Sequence, residues 1–185
     1  MAQKNKGKVF EDAFKKSVPA YCLLIRIPDP PHSWEQSSAT KFAVKNPCDF
    51  IMFDSYARNQ YCLELKTTKA TSISFDDVSL PKAEGKMVKK HQIEALTEFG
   101  KFAHVRAGFL FNFRDEENYV ETTYFQDIQS FNGMTSIIGK KSFNQKDLMN
   151  HNAVVVNGRK KRTLYEWDID GLLTELDAKY EKCLN

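Results

Sequence analysis

Apolar positions along the chain switch between two periods. Val9, Phe10, Ala13 and Phe14 recur at helical spacing, so residues 8–17 are predicted to form a helix that stops at Pro19. "YCLLIRI" (21–27) reads as a strand, and the Pro- and Ser-rich stretch 28–41 as a loop. "DFIMF" (49–53) and "YCLEL" (61–65) flank a short turn around Asn59 and predict a hairpin. A second helix is expected over 86–99. "HVRAGFLFNF" (104–113) is apolar on both faces at its centre and reads as an interior strand, with 119–125 paired beside it. Further on, the pattern predicts a short helix near 143–150, a strand at 163–167 and a C-terminal helix from about 170. The order of elements implies an α/β fold, a mixed sheet with helices packed on it, in one domain over residues 1–185.

Charge interrupts this pattern where a buried strand should carry none. Side chains alternate across a strand, so Cys62, Glu64 and Lys66 share one face and Leu63 and Leu65 the other. Asp49 opens the neighbouring strand, within reach of Glu64 across the hairpin. Two carboxylates a few ångströms apart cannot both stay ionised cheaply away from water, and a hard divalent cation removes the conflict. Lys66 points to the same place, where it can hold a nucleophilic water or neutralise charge building on a phosphate. The set suits metal-assisted hydrolysis of a phosphodiester. The same residues also fit a cross-strand or surface ion pair on an edge hairpin. The tripeptide acid-x-Lys occurs three times, at Glu64, Glu84 and Asp177, and only the first has strand alternation behind it.

Asp49…Glu64-Leu65-Lys66, after a helix "GKVFEDAF" containing Glu11, resembles the PD-(D/E)XK nuclease superfamily. The stretch "ELKTTKATSISF…LPKAEGKMVKKHQIEAL…GKFAHVRAGFLFNFR" is similar in order to its RecU-type Holliday junction resolvases over about residues 5–115. Two features depart from the pattern: Cys48 stands between Pro47 and Asp49, and residues 28–46 are shorter than the stalk those resolvases project into the junction. The short segment fits a phage version.

The resemblance implies a restriction-endonuclease-like mixed central sheet flanked by helices. It also implies a Mg²⁺-dependent endonuclease, with Mn²⁺ as substitute, that resolves branched DNA. It assigns Glu11, Asp49, Glu64, Lys66 and Gln92 to catalysis and Asp49, Glu64 and Leu65 to the metal. Gln92 shares the face of Val88, Ala95, Leu96 and Phe99, where an inward amide must be hydrogen-bonded, either to the site or to a backbone carbonyl. Glu11 also fits a surface or capping role. Thr67, Thr68 and Lys69 can bind phosphate or simply end the strand.

Net charge is only +3, but the basic residues are segregated. Lys82, Lys86, Lys89 and Lys90 cluster ahead of His91, and with Lys69 they are the expected contacts to DNA. A further block, Arg159-Lys160-Lys161-Arg162, is followed by an acidic tail. The four cysteines are scattered without a C-x-x-C pair, which points to buried free thiols rather than a zinc ribbon or disulfide framework. No apolar run approaches the ~20 residues of a membrane span, and no leader pattern opens the chain, so a cytoplasmic protein is expected. A four-way junction needs two symmetric cuts, which a homodimer would supply, and 14 phenylalanines suggest an apolar interface. Two alternatives stay open: a PD-(D/E)XK enzyme acting on linear duplex in restriction or repair, and a non-catalytic DNA-binding module on a decayed nuclease fold.

Overall fold

The computed structural model describes residues 5–28, 46–81 and 85–181. Helix α1 (Lys6–Ser17) opens the described chain. The Asn5 side chain caps it by accepting the Gly7 N–H at 3.0 Å, and Phe10, Ala13 and Phe14 are its buried face. Strands β1 (Cys22–Arg26), β2 (Phe50–Asp54) and β3 (Gln60–Thr68) form an antiparallel meander. β5 (Val105–Asp115) lies parallel to β3, which requires a crossover. That crossover contains β4 (Ser72–Ser74) and helix α2 (Lys90–Phe99). β6 (Val120–Asp127) turns back beside β5 and runs into helix α3 (Ile128–Ile137). β7 (Ser142–Asn144) pairs with β4, followed by α4 (Gln145–Asn150) and β8 (Val154–Val156). A small hairpin of β9 (Gly158–Lys160) and β10 (Tyr165–Trp167) leads to α5 (Ile169–Glu181).

The central sheet has the order β1-β2-β3-β5-β6-β8 and is mixed, with helices on both faces. This is the α/β architecture expected, a mixed central sheet flanked by helices. One face packs Cys62, Phe109 and Phe111 against Ile93 and Leu96 of α2 and Phe131 and Met134 of α3. The other packs Leu63, Leu65, Leu110 and Phe125 against α1, α5 and Trp167. β5 is buried from Ala107 to Phe113, as an interior strand must be. Gly108 is required there, because a Cβ would come within 2.5 Å of the Gln126 carbonyl and 2.9 Å of the Phe125 ring.

Three expectations need correction. The second helix begins at Lys90, not at 86. Its free N–H groups find partners there: Lys90 donates to Asp76 Oδ2 at 2.9 Å and Lys89 donates to Gln92 Oε1 at 3.0 Å. Val88 therefore belongs to no helix; it bridges to Phe75. The phenylalanines do not argue for an interface, because Phe75, Phe109, Phe111, Phe131 and Phe143 form one aromatic cluster inside the monomer. Cys48 and Cys62 are buried free thiols and Cys22 is half-buried. The loop expected over 28–41 and Cys183 lie outside the described residues, save Pro28. No described helix is long and apolar enough to cross a membrane.

Candidate active site

The regular β2–β3 ladder starts at Phe50↔Leu63, and one step further would set Asp49 opposite Glu64. There the Asp49 N–H still donates to the Leu63 carbonyl at 3.0 Å, and its side chain adds a second link: Asp49 Oδ2 accepts the Leu65 N–H at 2.7 Å. Glu64 sits four residues inside β3, between β2 and β5, and is only 4% exposed. The edge-hairpin alternative is thereby excluded, since this strand is interior. Glu64 Oε1 accepts from Lys66 Nζ at 2.8 Å and from Gln92 Nε2. The amide of Gln92 is held at its other end by the Lys89 N–H, so the helix N-terminus aims the side chain at the carboxylate. No backbone carbonyl is needed to satisfy it.

Electrostatics mark the spot as strained toward neutrality. Burial raises the Glu64 pKa from 4.5 to about 7, with Asp49 adding to the rise and Lys66 opposing it. Burial likewise raises Asp49, opposed by the Leu65 N–H and Lys66 and reinforced by Glu11. Glu11 therefore does reach the site with its field. Its carboxylate accepts from Arg26 Nε at 2.9 Å, and Arg26 in turn favours ionised Asp49.

Asp49 and Glu64 offer hard oxygen donors, and Leu65 offers only its main-chain carbonyl, since its side chain lies in the core on the opposite face. Among the described residues no group of three His, Cys, Asp or Glu side chains is gathered for a metal. A two-carboxylate set suits Mg²⁺, which keeps several waters and takes oxygen from phosphate. It does not suit Zn²⁺, whose sites are built from Cys and His.

The expected DNA contacts scatter. Lys89 is exposed, and its charge is among those that favour ionised Glu64. Lys69 is exposed just past the end of β3. Lys90 instead ties down the 78–80 loop, donating to the Val78 and Leu80 carbonyls at 2.5 and 3.1 Å. Lys86 lines a groove of about 1000 Å³ on the far side of α2, with Glu94, Lys140 and Lys141. His91 is half-buried in the first turn of α2. Lys82 lies outside the described residues. Thr68 ends the strand, its Oγ1 accepting the Ala70 N–H at 2.9 Å.

Sequence reasoning passed over Arg26 and a polar network beside the site. Thr67 Oγ1 donates to Asn112 Oδ1 at 2.6 Å and accepts from Arg114 Nε at 3.1 Å. Asn112, fully buried, also donates to Thr123 Oγ1 at 3.0 Å. A charged residue in "LLIRI" and an Asn in "FLFNF" were the available signals: polar groups inside apolar strands need partners.

No family model matches the chain. It is 29% identical over 188 residues to the SPbeta prophage-derived uncharacterized protein YotM of Bacillus subtilis (strain 168), covering 97% of this chain and 90% of that protein. Among solved structures it is similar to Archaeoglobus fulgidus Hjc, a Holliday junction resolvase from an archaeal hyperthermophile. That likeness has a TM-score of 0.43 and 14% identity, over 76% of this chain and 88% of the other.

Proposed function

We propose that the chain is a metal-dependent endodeoxyribonuclease, one nuclease domain over residues 1–185, that hydrolyses phosphodiester bonds of branched DNA in Holliday junction resolution. The observation that carries this reading is the convergence of Lys66 and Gln92 on one oxygen of a nearly buried Glu64, beside an Asp49 carboxylate fixed by the Leu65 N–H. A purely structural ion pair gains little from being built this way, because burying both charges costs several kcal/mol of hydration per ion.

Asp49, Glu64 and the Leu65 carbonyl would hold Mg²⁺, or Mn²⁺ in its place. Held there, it would neutralise the two carboxylates and supply Lewis-acid polarisation of a phosphate oxygen. Gln92 fixes the Glu64 rotamer and leaves Lys66 able to shift its ammonium from Glu64 toward the attacking water. Positive charge then stands where the pentavalent phosphate gathers negative charge. Arg26 holds Glu11 at the margin of the site, where its carboxylate can order water. Lys69 and Lys89 lie where they can meet flanking phosphates.

A homodimer would supply the two symmetric cuts. The surface that suits it is the apolar strip of Leu23 and Ile25 on the edge strand β1 with Phe53 beside them, exposed at 60%, 51% and 41%. The test is cleavage of a labelled four-way junction and of the matching linear duplex, each with Mg²⁺ and with EDTA. Metal-dependent symmetric cuts in the junction are expected. Equal cutting of the duplex would point to a restriction or repair enzyme, and binding without any cutting to a non-catalytic module.

A further inference from the structure

Arg159, Lys160, Lys161 and Arg162 of the β9–β10 hairpin are all exposed, and Glu166 is the one acid within the hairpin. Arg159 and Lys161 share that acid, at 2.5 and 2.9 Å. Lys160 instead lies over the ring of Tyr119, 4.8 Å from its centroid. Among the described residues neither Lys160 nor Arg162 has a carboxylate in ion-pair range. The chain turns tightly at this tip, Lys161 N–H donating to the Leu164 carbonyl at 2.8 Å.

The hairpin is braced from below. The Tyr165 hydroxyl accepts the Glu121 N–H at 3.0 Å and donates to the Tyr119 carbonyl at 3.1 Å. Its ring stacks on that of Trp167, whose main-chain N–H donates to Ser17 Oγ at 2.9 Å. Gly158 lies so close to Trp167 that a Cβ would come within 2.4 Å of the indole. A cationic tip is thus fixed to β6 on one side and to α1 on the other.

Its position relates it to the candidate site. Thr68 pairs with Phe113 and Arg114 with Glu121, so the ends of β3, β5 and β6 lie together. From β3 to β6 is two strand spacings, roughly 10 Å at ~4.8 Å each. Arg114 stands between, bound to Thr67; by strand alternation both lie on the sheet face that carries Leu63, Leu65 and Leu110, opposite Glu64 and Lys66. Beside the hairpin, Val9 of α1 shares a small cavity with Lys160 and Leu164, and Glu121 of β6 lines it too, outside ion-pair range of Lys160. The first turn of α1 carries Lys6 and Lys8 and no acid. Cations at a helix N-terminus oppose the macrodipole, and a polyanion laid there would offset that opposition.

We propose that the hairpin, together with Lys6 and Lys8, holds the phosphate backbone of the DNA arm that flanks the cleaved bond. This rests on the nuclease function proposed above. Two strand spacings, roughly 10 Å, correspond to about three nucleotides at 3.4 Å each along one strand. The bland alternative is that the lysines only keep a short edge strand from pairing with other chains.

The experiment uses full-length protein carrying Lys66→Ala, bound to a long-armed junction and to one with trimmed arms, across a salt series. Adding Lys160→Ala with Arg162→Ala should weaken long-arm binding by about tenfold or more and flatten the log–log salt slope by nearly 2, at ~0.9 per phosphate lost. The trimmed junction should respond less. The swap Lys160→Arg with Arg162→Lys should bind like the parent, and Lys160→Gln with Arg162→Gln should repeat the loss with the side-chain stems retained. Affinity and slope unchanged within about twofold, or affinity lost with no change of slope, overturns the hairpin assignment alone. If the Lys66→Ala parent binds no DNA, the hairpin assignment and the nuclease function fall together.

Discussion

Glu64-Leu65-Lys66 and Asp177-Ala178-Lys179 follow the same formula, and the fold gives them opposite fates. On β3 the first and third residues share a face, so Lys66 Nζ reaches Glu64 Oε1 at 2.8 Å. On α5 residues two apart diverge, and Lys179 reaches back one turn to Glu175 at 3.4 Å. Asp177 accepts instead from the Asn59 amide at 3.0 Å. The side chains of Glu64 and Lys66 are 5% and 16% exposed, those of Glu175 and Lys179 about half. Water and salt screen the helical pair, while the strand pair keeps its field inside the protein. Acid-x-Lys is therefore informative only after its element is known.

The comparison breaks most visibly at Asp49. Asp49→Asn removes one of the two carboxylates proposed to hold the metal and one of the charges that raise Glu64. Cleavage should fall below detection in Mg²⁺ while DNA binding holds or tightens, because carboxylate repulsion toward phosphate is relieved. Ca²⁺ should support binding with poor turnover, being larger and less strict in geometry. A variant that cuts near the wild-type rate removes Asp49 from the site. Lys66→Ala comes next. A group placed where charge develops in the transition state is commonly worth ~2.7–4 kcal/mol of barrier, about 10²–10³ in rate. Single-turnover cleavage at saturating enzyme measures it free of binding effects, and Lys66→Arg should rescue poorly because a planar guanidinium does not replace a compact ammonium. A rate within about threefold of wild type would return the pair to a structural role.

That Glu64 and Lys66 share a face, and that Asp49 adjoins them, was legible because strand alternation and a short hairpin are local. The buried β5 was legible for the same reason, as an unbroken apolar run. What was not legible depends on partners distant in the chain. β4 and β7 are three residues each and exist by pairing Ser72–Ser74 with Ser142–Asn144. α3 follows β6 with no breaker between them; Asp127 caps it by accepting the Gln129 N–H at 2.8 Å, a turn that only the folded chain reveals. The start of α2 is set by Asp76, fourteen residues upstream. Glu11 finds Arg26 across two elements, so neither residue alone signalled the pair. Lys90 read as a phosphate contact because its cluster is basic, yet the 78–80 carbonyls hold it.

A smaller effect concerns pH. Glu64 titrates near 4.5 when unfolded and at about 7 in the metal-free fold. Its folded form thus prefers the proton. The stability it lends is complete below pH 4.5, declines as the unfolded chain releases its proton first, and is lost once pH passes about 7. Asp49 shifts in the same direction. In EDTA the folding free energy should therefore fall between about pH 4.5 and 7, by roughly 3 kcal/mol at most, read as a drop in melting temperature. Glu64→Gln should flatten most of that slope, and Mg²⁺ should restore stability at the high end of it by binding the ionised form. A metal-free melting temperature that rises through this window, or a slope unaffected by Glu64→Gln, would mean that Glu64 is ionised in the fold without help.

The smallest effect is at Lys179, and it is the control that gives the larger ones their meaning. Its pair with Glu175 is an exposed i,i+4 contact, worth ~0.3–0.5 kcal/mol, and its place in the last turn of α5 adds a few tenths through the helix dipole. For a chain of this size, 1 kcal/mol moves the melting temperature by about 2–4 °C. Lys179→Ala should thus cost about 1–3 °C at low salt and less at 1 M, where the Debye length shrinks to about 3 Å. Lys66→Ala should differ in kind, with a large loss of turnover and a drop in melting temperature that grows with pH as Glu64 ionises without its partner. Lys179→Ala should cut DNA at the wild-type rate under every metal condition. If instead both lysines depressed cleavage alike, a diffuse basic surface rather than one strand-borne ammonium would account for the loss, and the distinction between the strand and the helix would fail.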